Sequence, residues 1–260
     1  MSAGRTFAVR PTRQAFRPSW VFIGVVAVFV ASGAMAWTRF GSVQFDVFLF
    51  VVSGWIVSLC LHEFAHALVA YRAGDLGVAE RGYLTLNPLK YTHPLLSIVL
   101  PVVFLLIGGL GLPGGAVWVD RHAARGRLTH SLISLSGPAM NLVFTLALAV
   151  PFMVGVRIEE HLEFWAAVGF LGFLQLTATV LNLMPLPGVD GGNALQPWLP
   201  QDWKKMYDLF APYGMLVLFA LLFSPKINNY FFSFVFWVAD LIGLPPWAYS
   251  VGLDLVRFWS

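Results

Sequence analysis

Charge is scarce in this chain: 11% of its 260 residues are Asp, Glu, Lys or Arg, against about a quarter in an ordinary soluble domain. So little polar surface cannot cover a soluble globule of this size, which excludes a soluble enzyme, a disordered chain and a nucleic-acid binder. Cysteine is rarer still. Cys60 stands alone, so no internal disulfide can form; it lies in an apolar run and reads as a small buried hydrophobe. Residues 1–19 hold no acid, only Arg5, Arg10, Arg13 and Arg17 as charges. No internal repeat, low-complexity tract or appended soluble domain is evident.

Hydrophobic residues make up 58% of the chain, with 23 Phe and 10 Trp, and the mean hydropathy is +0.74. That combination describes a polytopic membrane protein with a lipid-facing surface and interfacial aromatics. Apolar runs occupy residues 20–37, 45–71, 95–117, 131–156, 163–187, 209–224 and 229–244. The last two are short for the roughly 20 residues that a spanning helix needs. The first run is expected to be an uncleaved helix, although Ala34-Met35-Ala36 resembles a signal-peptidase site.

The net charge of +3 reports orientation, not affinity for nucleic acid, because the basic residues are spread over connecting segments. The four N-terminal arginines place residues 1–19 in the cytoplasm. Helix 20–37 then runs outward and 45–71 returns, which puts Arg72, Arg81 and Lys90 inside. Arg121, Arg125 and Arg127 stay inside only if 95–117 is re-entrant. Its Pro101, Gly108, Gly109, Gly111, Pro113, Gly114 and Gly115 favour such a broken element. Helix 131–156 then leads to an outer loop with Glu159, Glu160 and Glu163. Helix 163–187 returns to an inner loop with Lys204 and Lys205.

Within the second run, His62-Glu63-Phe64-Ala65-His66 reads H-E-x-x-H. On a helix the two histidines share one face, about 6 Å apart along the axis. Two imidazoles so placed can bind one zinc ion, and Glu63 beside the first can take a proton from the bound water. An ionisable triplet inside a membrane helix is costly, which makes it a functional hypothesis by default. A catalytic zinc needs a third protein ligand. His93, His122, His130, Glu159, Glu160, Glu163, Asp190 and Asp240 are the candidates. His66 precedes Arg72 by six residues, so the metal lies toward the inner end of its helix, and the outer glutamates fall on the wrong side. Asp190 lies at the inner end of helix 163–187, after Pro185-Leu186-Pro187-Gly188 and before Gly191-Gly192. That unwound end can aim a carboxylate back into the bundle. A third element, Ser136-Gly137-Pro138-Ala139-Met140-Asn141, lies at similar depth. Gly137 permits close helix approach, and Asn141 can donate to a substrate carbonyl or a developing oxyanion.

Together, His62 to His66, Gly137 to Asn141 and Asn182 to Gly192 resemble, in order and spacing, the site-2 protease family of intramembrane zinc metalloproteases. The resemblance covers about residues 45–195 and is to compact members without a PDZ domain. Gly82-Tyr83-Leu84-Thr85-Leu86-Asn87-Pro88-Leu89 looks like that family's membrane-associated β segment. Where the family often reads H-I-D-P, this chain has Tyr91-Thr92-His93-Pro94. The resemblance implies one zinc ion per chain held by His62, His66 and Asp190. It implies Glu63 as general base, with Asn141 assisting at the oxyanion. Its substrates would be membrane proteins whose transmembrane helix unwinds for cleavage. The alternation in residues 114–119 reads either as a strand edge that could pair with it or as a plain loop.

The expected fold is all-α and polytopic, with about six transmembrane helices. A re-entrant, partly β segment lies between the second and third core helices. The expected division is a cytoplasmic tail at 1–19, a first transmembrane helix and loop at 20–44, a metalloprotease core at 45–195 and C-terminal membrane helices at 196–260. The partners expected are the lipid bilayer and a membrane-protein substrate, with no nucleic acid. The chain is expected in the cell membrane, with its N-terminus and active site toward the cytoplasm. The alternatives are a membrane zincin with a glutamate as third ligand, a non-catalytic scaffold or chaperone, and a transporter lined by the broken helices.

Overall fold

The computed structural model describes residues 13–91, 103, 117–120 and 123–257. Four long helices carry the architecture: α1 (Trp20–Thr38), α2 (Val43–Arg72), α4 (Arg127–Met153) and α5 (Leu162–Asn182). A four-residue helix, α3 (Gly77–Glu80), follows α2. After α5 come α6 (Asp190–Leu195), α7 (Gln201–Phe210), α8 (Gly214–Phe223), α9 (Pro225–Leu241) and α10 (Pro246–Val256). Among the described residues, five helical stretches are long and apolar enough to cross a membrane. A sixth arises if α9 and α10, bent by 117° at their junction, make one span. The protein is an all-helical polytopic membrane protein, and no strand occurs among the described residues.

The ends of the helices show which side each belongs to. Ser19 caps α1, its hydroxyl accepting from the Phe22 amide at 3.2 Å, and the Ser19 amide donates to the Thr85 carbonyl at 2.8 Å. The start of α1 is thereby tied to the segment that follows α2. At the opposite end Arg39 closes α1 and pairs with Glu163 at 2.9 Å. Trp37 stacks on His161 with ring centroids 3.5 Å apart. The loop holding Glu159, Glu160 and Glu163 therefore sits at the beginning of α2, whereas His62 and His66 lie near its other end.

α5 is the central mast, packed by α1, α2, α4 and α10. Its contact with α10 is a seam of small residues: Ala166 and Gly169 on α5 face Ala248 and Gly252 on α10. Without a hydrophobic driving force between helices in lipid, close backbone approach supplies the attraction. Short helix α10 was not expected from the sequence. Its eleven residues fall below a spanning length, and Pro245-Pro246 hides its start. Ser58 on α2 donates to the side-chain carbonyl of Gln175 on α5, one polar tie in an otherwise apolar contact.

The β segment expected at residues 82–89 is two short 3-10 turns, Tyr83–Thr85 and Pro88–Lys90. Gly82 and Leu86 both adopt positive φ, 76° and 56°, which breaks an extended run on either side of the first turn. The Thr85 hydroxyl closes that turn onto the Gly82 carbonyl, and Asn87 caps the next by accepting from Leu89. The re-entrant path expected for 95–117 lies outside the described residues except at Val103 and Val117. Residues 117–120 carry no regular structure.

A Cβ on Gly252 would meet the Phe170 Cβ at 2.5 Å and crowd the Ala166 carbonyl, whereas one on Gly24 meets nothing within 4 Å. Gly252→Leu should therefore destabilise the protein by about 1–3 kcal/mol, read as a lowered thermal midpoint in detergent. Gly24→Leu should leave that midpoint unchanged.

Candidate metal centre

His62 and His66 stand one helical turn apart on α2, both about 95% buried. Their Nε2 atoms are 3.0 Å apart. Asp190 reaches the same point from α6, its Oδ2 lying 3.2 Å from His62 Nε2 and 3.4 Å from His66 Nε2. Three potential donor atoms thus converge on one point, and the group can hold a metal ion.

Space at that point is made by Gly137 on α4. A Cβ there would lie 2.6 Å from His62 Nε2 and closer still to His66 Nε2. Pro138, next in the chain, cannot donate to the Ser134 carbonyl, and its ring opens the turn before it. One residue before Ser134, the Ile133 carbonyl accepts from His66 Nδ1 at 2.6 Å. With its proton on Nδ1, His66 presents a lone pair at Nε2, the arrangement that suits a metal-ligating imidazole.

Asp190 is brought in by a broken chain. α5 ends at Asn182, three residues before Pro185, as the restriction on residues before proline favours. Gly188 then takes φ 88°, a conformation that costs glycine nothing. Gly191 and Gly192 press their backbones onto the carbonyls of Leu183, Met184 and Leu186. The short helix therefore lies flat against the turn that precedes it, with Asp190 at its first position.

Glu63 is 98% buried, and its Oε1 lies 4.0 Å from His62 Nε2. The Val117 amide hydrogen-bonds its carboxylate, while Oε2 has no protein partner. Asn141, one turn beyond Gly137, is buried with its Oδ1 also unpartnered. Buried polar atoms without partners are rare in folded proteins and call for an explanation. The Glu63 carboxylate stands beside the point where the three donor atoms converge, so the residues fit a metal ion and its ligands. Below the histidines, Tyr91 donates to the Cys60 carbonyl at 3.3 Å. Burial pushes its phenol above the ordinary range, so it remains a neutral donor.

Of the residues expected to form the site, His62, Glu63, His66 and Asp190 are thus brought together, while Asn141 stands one helical turn beyond Gly137. Of the alternative third ligands, Glu163 is engaged with Arg39 at the far end of α2. His93 and His122 lie outside the described residues. His130 and Asp240 belong to no group that can hold a metal among the described residues. Sequence reasoning missed the Ile133 carbonyl and the Val117 amide. Both are backbone groups, which every residue carries, so no side-chain pattern announces them.

A helical membrane bundle with a buried His-His-Asp group defines a class, that of membrane proteins able to hold a metal ion among their helices. Comparison with known proteins narrows it. A Mycolicibacterium smegmatis protein named "Putative zinc metalloprotease Rip2" is 47% identical over 259 residues, 97% of this chain and 98% of the relative. A Mycobacterium tuberculosis protein of the same name is 44% identical over 95% of this chain and 96% of the relative. "Putative zinc metalloprotease YwhC" of Bacillus subtilis is 32% identical over 67% of this chain and 80% of its own length. The chain belongs to the site-2 protease family of intramembrane zinc metalloproteases. No family model and no solved structure matches it.

Gly137→Ala should weaken metal binding by at least about tenfold, measured as zinc retained per chain after dialysis against a chelator of known affinity. His62→Ala should abolish it.

Proposed function

We propose that this protein is a zinc endopeptidase that cleaves membrane proteins within or near their transmembrane segments. The observation that carries this reading is the juxtaposition of His62, His66 and Asp190 with a buried Glu63 carboxylate that keeps one oxygen free. The relatives named as zinc metalloproteases support it.

In this reading His62, His66 and Asp190 would hold one zinc ion, which would supply a Lewis acid for water and for the peptide carbonyl. Glu63 takes the proton of the attacking water on its free carboxylate oxygen and later delivers it to the departing amine nitrogen. The Val117 amide holds the other side of the carboxylate and limits its rotation. Asn141 offers its side-chain N–H to the substrate carbonyl oxygen as negative charge gathers there. The bundle around these groups keeps bulk water sparse, which strengthens each of these contacts.

A peptide bond inside a helix is shielded by its own hydrogen bonds, so the substrate helix must unwind before attack. A single-span membrane protein, whose one helix can unwind, is the substrate this reading implies. The positively charged segments favour a cytoplasmic N-terminus and an active site toward the cytoplasm in the cell membrane. The proposed catalytic core remains residues 45–195, flanked by the tail and first helix and by the C-terminal helices. A third ligand from the Glu159 to Glu163 loop would require that loop beside the metal, and its Arg39 contact draws it to the opposite end.

Glu63→Gln should keep zinc yet lower cleavage of a membrane-embedded reporter by about a hundredfold or more. Full activity in that variant would overturn the assignment of the base. Asp190→Ala should lose zinc and activity together; unchanged zinc content would remove Asp190 from the ligand set.

A further inference from the structure

Asp190 stands on a helix of only six residues, too short to hold a ligand in place by its own hydrogen bonds. Its first turn is seated by Gly191 and Gly192 on the preceding backbone. Something must fix its other end. There the Ala194 carbonyl accepts from the Ser131 hydroxyl at 2.7 Å. Ser131 is buried in the first turns of α4, and its oxygen in turn accepts from the Trp198 indole N–H at 2.8 Å. The Arg127 carbonyl is a second, longer acceptor at 3.2 Å. A hydroxyl has one proton to donate and lone pairs to accept with. The Trp198 contact occupies an acceptor position and leaves the proton for Ala194.

Ser131 is two residues from Ile133, whose carbonyl orients His66. One stretch of α4 therefore governs two of the three donor groups. It holds His66 through a backbone carbonyl, and it holds the helix of Asp190 through a side-chain hydroxyl. Six residues after Ser131, Gly137 leaves the space between them.

We propose that Ser131, braced by Trp198, is a positioning residue for the metal site, pinning the Asp190 helix to the same part of α4 that orients His66. This rests on the reading of His62, His66 and Asp190 as metal ligands. Ser131 touches neither the donor atoms nor Glu63, and acts only by setting where Asp190 stands. Outer-shell hydrogen bonds of this kind are worth about ten- to a hundredfold in metal affinity.

The test is titration of the full-length, metal-free protein in detergent with Co²⁺, which reports its coordination through visible absorption. Wild type, Ser131→Ala, Ser131→Thr and Trp198→Phe are compared. Ser131→Ala should weaken Co²⁺ binding by about tenfold or more and alter the absorption envelope, while the thermal midpoint of the metal-free protein stays that of wild type. Ser131→Thr, which keeps the hydroxyl, should restore affinity and spectrum. Trp198→Phe keeps a ring at a half-exposed position and removes only the N–H, so it should move both readouts in the same direction by less.

Wild-type affinity and spectrum in both Ser131→Ala and Trp198→Phe would overturn the proposal. A lowered metal-free midpoint in Ser131→Ala that Ser131→Thr does not rescue would also overturn it, as the mark of a merely structural residue. A wild-type chain that takes up no Co²⁺ would instead sink the metal reading, and this inference with it.

Discussion

Everything near the site follows from the cost of placing ionisable groups where water is sparse. An isolated charge or unpaired polar atom in such surroundings is expensive, and it is tolerated only when its neighbours satisfy it. His62, His66 and Asp190 offset part of that cost by sharing one small volume, where Glu63 keeps one carboxylate oxygen without a protein partner. They arrive from two stretches of chain more than a hundred residues apart, so the bundle must be built around their meeting. α2 supplies the histidines and Glu63 at one end, α4 opens to make room, and α5 stops early so that its continuation can turn back.

Backbone groups do much of the fine positioning. The Ile133 carbonyl orients one imidazole, the Val117 amide holds Glu63, and the carbonyls of Leu183, Met184 and Leu186 seat the Asp190 helix. Prolines and glycines set these groups free. Pro138 leaves the Ser134 carbonyl without its helical partner, one residue from the Ile133 carbonyl, and Pro185 and Pro187 end a helix that would otherwise carry Asp190 past the histidines. In lipid such interruptions are tolerated only where protein or a cavity receives the released groups.

This explains how much was legible beforehand. The H-E-x-x-H histidines could be placed on one face because helical periodicity is fixed. Asp190 was legible because a proline-broken helix end at the correct depth has few other uses. Gly137 and Asn141 were visible as small and polar exceptions in an apolar run. The β reading of residues 82–89 failed because local turn geometry at Gly82 and Leu86 overrides their extended-looking pattern. α10 was invisible because a short helix behind two prolines resembles a loop, and its importance lies in its fit to α5, which no single-segment pattern contains.

That seam between α5 and α10 has a bearing on how the protein is made. α5 carries Gln175, Thr177, Thr179 and Asn182, all buried in the finished bundle, and one flank of it is covered by residues 246–256. Synthesis runs from the N-terminus, so α5 enters the membrane before the segment that covers that flank exists. Until then its groove of small residues faces lipid, and the mast against which α2 leans lacks one of its supports. The framework around α5 is therefore complete only once residues 246–256 have been made and have packed against it.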